Sequence, residues 1–277
     1  TQKKHMILKE ICKDNKVEFL TSIFNEKDIN FLSKLKNKLI KIPSHEIGNY
    51  KLIEKTEKKF KKILISTGAS KWKEVMKIVA LTGGSGSGKS TVLNGLREHF
   101  GDEVTILSLD DYYRPKSELP TDDKGETNFD VPEAINYDDL TRDIRLLLEG
   151  NVVELDTYTF NRSAMTSARI KIHPAPWLIV EGLFALFNDG VRNLIDITAF
   201  IDASVETRLE RRKHRDLTVR GYTPEEVQYQ WDNHVRPSDI KFIEPWKSKC
   251  DVVIDNENNW ELGLMKLIEI MELEKKV

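Results

Sequence analysis

The densest chemistry in the chain lies in the ten residues TGGSGSGKST, Thr82 to Thr91. Gly83, Gly84, Ser85, Gly86, Ser87, Gly88, Lys89 and Ser90 satisfy the spacing G-x-x-x-x-G-K-S/T. Glycines at that density let the backbone curl until successive N–H groups converge on an anion. An apolar run, Lys77–Thr82, precedes the loop and an amphipathic segment to about Phe100 follows it. The loop therefore opens a helix whose N-terminal partial charge also favours an anion. Lys89 is the candidate to neutralise β- and γ-phosphates, Ser90 the candidate hydroxyl ligand of Mg²⁺, and Thr91 closes the nucleotide-binding stretch. A glycine-rich turn that binds nothing has no need of Lys and Ser at fixed positions after the last glycine. The loop alone does not separate a kinase from a GTPase or an ATPase, but the chain has no N-K-x-D sequence, which speaks against a GTPase.

Three acids follow apolar runs, as residues beyond the carboxyl ends of parallel strands do. Val104–Leu109 leads into Asp110 and Asp111, Trp177–Val180 into Glu181, and Ile197–Ile201 into Asp202. Glu181 is the candidate magnesium-associated acid, holding the ion through water because magnesium dehydrates reluctantly. Asp110 is the candidate to orient an attacking hydroxyl and take its proton late. Asp202, followed by Ser204, reads as a turn or helix cap. A fourth feature is the run RLERRKHRDLTVR, which holds Arg208, Arg211, Arg212, Arg215 and Arg220. Its plain reading is a solvated helix face paired with Glu206 and Glu210. The stronger reading is a lid that brings guanidinium groups over a transferring phosphate, carried by Arg212, Arg215 and Arg220 rather than by Arg208 and Arg211.

These residues need a scaffold, and from Lys77 onward the sequence supplies one. Apolar strand-length runs at 77–82, 104–109, 177–180, 197–202 and 251–255 alternate with helical patterns at 138–149, 205–216, 224–247 and 260–273. That alternation predicts an α/β fold with a mostly parallel sheet and helices on both faces. Residues 1–77 differ: 19 Lys, no Arg and 9 acids give a net of +10, against −12 for the remainder, and only Gly48 and Gly68 fall there. The step predicts two domains, a lysine-rich, mainly helical module at 1–76 and the loop-bearing domain at 77–277. Within the module, spacings of three and four predict helix at Ile29–Leu39, a connection at Ile40–Ile47, and helix passing into a short strand toward Ser66. The whole chain carries a formal charge of −2, so it is no polycation, and the lack of Arg in the lysine-rich part disfavours nucleic acid as a partner. Cys12 and Cys250 have no partner at metal-ligand spacing, which excludes a disulfide scaffold and suits a reducing cytoplasm. The apolar stretch Trp177–Phe187 is too short to span a bilayer, and no secretory pattern opens the chain. Starting at Thr1 rather than Met, the sequence reads as trimmed.

Residues 78–255 resemble the uridine (uridine–cytidine) kinases, within the group of P-loop kinases that also holds phosphoribulokinase and pantothenate kinase. The matching pieces are TGGSGSGKST, ILSLDDYY, NFDVPEAINYDDL, Tyr158-Thr159-Phe160, IVEG, FIDA, and RLERRKHRD followed by Arg220-Gly221, in family order. The resemblance implies ATP, Mg²⁺ and transfer to a nucleoside 5′-hydroxyl, most simply of uridine or cytidine, in a homo-oligomeric enzyme. It implies Asp110 as catalytic aspartate, with Lys89, Arg212 and Arg215 acting on the phosphates. It implies Tyr113, Phe129, Asp130, Tyr158 and Arg220 around the nucleoside, and Ser90 and Glu181 at the metal. Asp130 can accept from ribose hydroxyls and aromatic rings can stack on a base, which agrees with that assignment. There are three departures on the acceptor and lid side. The family usually carries a His shortly after the Tyr-x-Phe element, where this chain has Asn161 to Met165; the lid reads Arg220-Gly221-Tyr222 rather than R-G-R; and Leu109, not Gln, precedes Asp110. The alternatives are a kinase of another hydroxyl metabolite, such as pantothenate or a sugar phosphate, and a nucleotide-binding regulatory protein, which would have no need of Asp110.

Overall fold

The computed structural model describes residues 2–37, 39–68, 75–157 and 169–275. The chain divides into two compact units, the first ending at Val75 and the second running from Met76 to Lys275.

In the first unit, α1 (Gln2–Asp14) buries none of its residues and ends before Lys16, which takes a φ of 57°. Asn25 caps α2 (Glu26–Lys34) by accepting from the Lys27 N–H, and Asn49 caps α3 (Tyr50–Glu57) by accepting from the Leu52 N–H. Between and after these helices lie β1 (Ile40–Ile42) and β2 (Ile63–Ile65), paired in parallel, with a further parallel bridge from Ser22 to Lys41. The connection predicted at Ile40–Ile47 thus begins as a strand. Ile40 and Ile42 alternate around Lys41 and are fully buried, a period of two too short to show beside Pro43 and Gly48. The segment around Leu20 and Ile23 is likewise non-helical, and its Ile23 joins the core with Ile29, Leu32, Leu52 and Phe60.

The second unit is built on five parallel strands in the order β4 (Val104–Ser108), β7 (Trp177–Glu181), β3 (Lys77–Thr82), β8 (Ile197–Asp202) and β9 (Val252–Asp255). Residues of the central strands β3 and β7 are almost all buried, which is why they read as continuous apolar runs rather than alternating ones. A separate antiparallel pair joins β5 (Val153–Asp156) to β6 (Arg169–Ile172). The helices are α4 (Lys89–Phe100), α5 (Tyr137–Leu148), the short α6 (Asp189–Arg192), α7 (Val205–Thr218) and α8 (Pro224–Gln230). A capping box between Thr223 and Glu226, with Pro224 in the first turn, starts α8. From there the chain turns through π-helical Trp231–Val235, α9 (Arg236–Ser238) and π-helical Asp239–Ile243, where the charge pattern predicts ordinary helix. The closing helix α10 (Trp260–Lys275) covers β9 and α4 with Leu264, Leu267 and Met271.

Register fixes what stands at the top of this sheet. Glu181 of β7 is level with Ser108 of β4 on one side and Leu81 of β3 on the other. Asp110 follows Ser108 by two residues and Gly83 follows Leu81 by two, so the three chemical segments meet at one end of three adjacent strands, around the point where strand order reverses. Among the described residues no helix is long and apolar enough to cross a membrane.

Candidate active site

A cleft of about 810 Å³ opens at that end of the sheet. Ser85, Gly86, Gly88, Lys89, Ser90 and Thr91 line it; Gly83, Gly84 and Ser87 do not. The last three shape the loop instead. The Gly83 and Gly84 carbonyls accept from Lys89 Nζ at 2.9 and 3.4 Å, and the Ser87 side chain is buried. Glycine is required at two positions by geometry: Gly86 and Gly88 have φ of 79° and 90°, and a Cβ would strike the Arg208 carbonyl from the first and the Asn256 amide from the second. Helix starts leave first-turn N–H groups without intrahelical acceptors, and although the Thr91 N–H donates to the Gly88 carbonyl at 3.0 Å, Lys89 and Ser90 open α4 ahead of it, so loop and helix together can present donors to an anion.

Lys89, Asp110 and Glu181 share the floor of the cleft. Burial pushes the Lys89 ammonium below its ordinary pKa, and Glu181 and Asp110 oppose that shift. Burial pushes both carboxyls up, opposed first in each case by Lys89. Glu181 also accepts from Ser108 Oγ at 2.6 Å. The three groups therefore hold one another's charges in a partly desolvated place. Asp202 stands apart, paired with Lys247 at 2.6 Å.

The donors fit magnesium held together with phosphate. No cluster of three His, Cys, Asp or Glu able to hold a metal occurs among the described residues. Ser90 and Glu181 are hard oxygen donors of the kind that bind magnesium through one carboxylate, waters and phosphate oxygens.

Four guanidinium groups reach the cleft: Arg211, Arg212 and Arg215 from α7, and Arg220 from just beyond its end. Arg212 is 5% exposed and donates to Ser85 Oγ and to Gln230 Oε1, both at 3.0 Å. Asp216, fully buried, is the common counter-charge of three of them: it receives Arg215 at 2.7 Å, Arg212 at 3.1 Å and Arg220 at 3.4 Å. Arg211, set aside on sequence, lies over the phosphate loop, with the Gly86 and Ser87 carbonyls at 3.5 and 3.4 Å and the Asn256 carbonyl at 2.9 Å. Arg208 stays out of the cleft. It is buried, pairs with Asp239 at 2.9 Å, and would meet a Cβ at Gly84. Burial pushes the Asp239 carboxyl up to about 6, against the opposing pull of Arg208.

The opposite wall carries Tyr113, Phe129 and Asp130. The Tyr113 and Phe129 rings meet edge to face at 5.9 Å, and Asp130 lies 3.6 Å from Arg212. Burial, then Asp110 and Asp130, push the Tyr113 hydroxyl well above its ordinary pKa. Tyr158, with Phe160, Arg162 and Ser163, lies outside the described residues. Asp216, Gln230 and Asn256 are the members that the motif search missed. For Asp216 a signal existed, since Arg212 and Asp216 are spaced four apart on one side of the helix. Gln230 and Asn256 come from distant segments and had none.

The model of the phosphoribulokinase/uridine kinase family matches residues 78–261. A NeuB family model matches residues 1–108, under half of the chain, across the boundary between the two units. Over 178 residues the chain is 38% identical to a uridine kinase of Staphylococcus epidermidis, covering 64% of this chain and 86% of that one. Over 200 residues it is 36% identical to a uridine kinase of Anoxybacillus flavithermus, covering 70% and 95%. Among solved structures, phosphoribulokinase from Rhodobacter spheroides aligns over 67% of this chain and 74% of that one, at 21% identity and a TM-score of 0.49.

Proposed function

The chain belongs to the phosphoribulokinase/uridine kinase family, a family of kinases, and from that premise we propose that it transfers the γ-phosphoryl group of ATP to the 5′-hydroxyl of a nucleoside, with uridine and cytidine as first candidates. The observation that carries this reading is the convergence of Asp110, Glu181 and Lys89 on one floor, between the phosphate loop and the Phe129–Asp130 wall. A nucleotide switch needs the loop and Lys89; it does not need a second, up-shifted carboxyl facing an acceptor wall.

The residues divide by role. The loop Gly83–Ser90 with Thr91 cradles the phosphates of ATP, and Lys89 gives up the Gly83 and Gly84 carbonyls to meet them. Ser90 and Glu181 hold magnesium, which when bound neutralises charge on the phosphates. Asp130 accepts from the ribose hydroxyls, while Tyr113, Phe129 and Tyr158 enclose the nucleoside and Arg220 closes over it. Asp110 accepts the hydrogen bond of the attacking hydroxyl. As the new O–P bond forms and the bond to the bridging β–γ oxygen breaks, the proton passes to Asp110 and the charge on the leaving oxygen falls to Lys89, Arg212 and Arg215. An up-shifted Asp110 suits proton acceptance, and the neighbouring Lys89, Arg220 and Arg215 oppose that upward shift.

The test is a panel of ribonucleosides and hydroxyl metabolites, pantothenate and sugar phosphates included, with ATP and Mg²⁺, read as ADP release. Turnover of nucleosides above all others is expected. Preference for a sugar phosphate or pantothenate would move the chain elsewhere within its family, and ADP release indifferent to every acceptor would make Asp110 something other than an acceptor-activating group.

A further inference from the structure

Between β4 and α5 the chain makes a small turn. Thr121 bridges to Thr127, the Asp122 N–H donates to the Glu126 carbonyl at 2.9 Å, and Gly125 takes a φ of 81°. The residues that leave this turn are Thr127, Phe129 and Asp130, the acceptor wall. A surface turn is ordinarily the most mobile part of a fold, yet this one carries a wall on which substrate geometry depends.

One carboxylate accounts for its position. Asp122 Oδ1 accepts from the Lys124 and Glu126 N–H groups, both at 2.9 Å, which closes the turn on itself. Asp122 Oδ2 points the other way, to Tyr229 Oη at 2.5 Å and His234 Nε2 at 2.8 Å. The Lys124 ammonium lies 4.4 Å over the Tyr229 ring, and that ring meets His234 edge to face at 5.8 Å. These bonds, the Tyr229 hydroxyl first, hold the Asp122 carboxyl well below its ordinary range, so it is an anion at neutral pH and His234 Nε2 carries the proton it donates. His234 is 3% exposed and lines the cleft with Gln230. The π turn Trp231–Val235 follows Gln230 and contains His234, a distortion that recurs at functional sites.

We propose that Asp122, Tyr229 and His234 form a latch that fixes the 120–128 turn against the helix 224–235 and so sets the position of Phe129 and Asp130 relative to Gln230 and Arg212. All three are positioning residues: they act on the acceptor through the wall they hold. The proposal rests on the reading of Phe129 and Asp130 as the acceptor wall. Among the described residues the hydrogen bonds of Asp122 go to Lys124, Glu126, Tyr229 and His234 and those of Lys89 to Gly83 and Gly84, so loss of the latch falls first on the acceptor rather than on ATP. A misplaced wall costs productive orientation before it costs chemistry.

Two measurements on the full chain test it together. The first is limited trypsin digestion after Lys124, read by mass. Asp122→Ala is expected to be cut at least tenfold faster than the wild type, and Tyr229→Phe, which keeps the ring under Lys124, by an intermediate factor. The second is steady-state kinetics on the best nucleoside. Both variants are expected to raise the acceptor KM by tenfold or more while the KM for ATP stays within twofold, and Asp122→Ala combined with Tyr229→Phe should be no worse than Asp122→Ala alone, because both remove one interaction. Equal digestion rates would overturn the latch. So would faster digestion with an unchanged acceptor KM, or an equal rise in both KM values, which marks general damage. If the wild type turns over no nucleoside, the acceptor reading fails on its own, while the digestion rates still decide whether Asp122 fastens the turn.

Discussion

Replacing Asp216 with Asn keeps the side chain's shape and one acceptor oxygen but removes the charge that three arginines share. The carboxylate receives Arg215 at 2.7 Å, Arg212 at 3.1 Å and Arg220 at 3.4 Å, with no exposure to solvent. One of the three contacts is a hydrogen bond, from Arg215 Nε, which loses about 1–1.5 kcal/mol when its acceptor is no longer charged, and with the Arg212 and Arg220 ion pairs weakened as well the total is roughly 3–4 kcal/mol. That agrees with the roughly 3–5 kcal/mol that removal of one partner from a buried pair costs. Against a total stability of about 5–15 kcal/mol the variant still folds. At about 2–4 °C per kcal/mol for a unit of this size, its melting temperature falls by roughly 6–16 °C. Activity falls further than stability explains. Arg212, Arg215 and Arg220 then repel one another without a common anchor, and guanidinium groups that wander no longer meet charge where it develops. The expected loss is about 100-fold in kcat, equivalent to about 2.7 kcal/mol on the barrier. The assay pairs thermal unfolding with ADP release at saturating ATP and acceptor, below the variant's unfolding range. A melting temperature within 2 °C of wild type together with kcat within about threefold would refute the reasoning, since the arginines would then hold their places without Asp216.

Lys89→Ala should reduce turnover by at least about a thousandfold in a protein that still folds, and an active variant would remove the loop from the mechanism. Asp110→Asn should lower kcat far more than it weakens ATP binding measured by titration; lost ATP binding would assign Asp110 to the metal instead. Asp239, buried beside Arg208 with its carboxyl pushed up to about 6, binds its proton more tightly folded than unfolded. It therefore favours the fold at low pH, and its contribution, roughly 3 kcal/mol at most, is lost as pH rises from about 4 to about 6. Urea titrations of wild type and Asp239→Asn across that window check the sign: the wild type should lose stability relative to the variant, and parallel curves would contradict it. Removing residues 1–75 should leave ADP release within about threefold of the full chain, because every residue assigned a role lies beyond Met76; loss of kcat in a folded remainder would bring the first unit into the reaction.

What the sequence made legible was whatever is local in the chain. Gly83–Ser90 announces its own conformation, and Asp110 and Glu181 each follow an apolar run whose strand end could be read directly. The strand at Ile40–Ile42 was hidden because three residues give no period, and only its pairing with Ile63–Ile65 makes it a strand. Arg208 and Arg211 show a different limit. Neighbours on one helix, they look alike in sequence, but Arg208 turns into a buried pair with Asp239, some thirty residues on, while Arg211 lies over the phosphate loop. The roles of Asp122 and Gln230 depend on partners 112 and 18 residues away, and no spacing rule reaches them.

Arg212 explains why the two ends of the cleft should act as one site. Its guanidinium has a fixed fork of donors, and here the fork is divided: one nitrogen goes to Ser85 of the phosphate loop, another to Gln230 on the acceptor side, and the group as a whole is anchored on Asp216. Asp130, the candidate ribose acceptor, lies 3.6 Å from the same group. A lysine could make one of these contacts but not several at fixed angles. Phosphates entering the loop compete with Ser85 for Arg212, and ribose hydroxyls entering the wall compete with Arg212 for Asp130. On the proposed reading, the two ligands would meet at this one rigid group rather than through the sheet. The buried Asp216 keeps that group from following either ligand out of place, which is why a carboxylate that does not line the cleft still carries a predicted loss of about 100-fold in kcat.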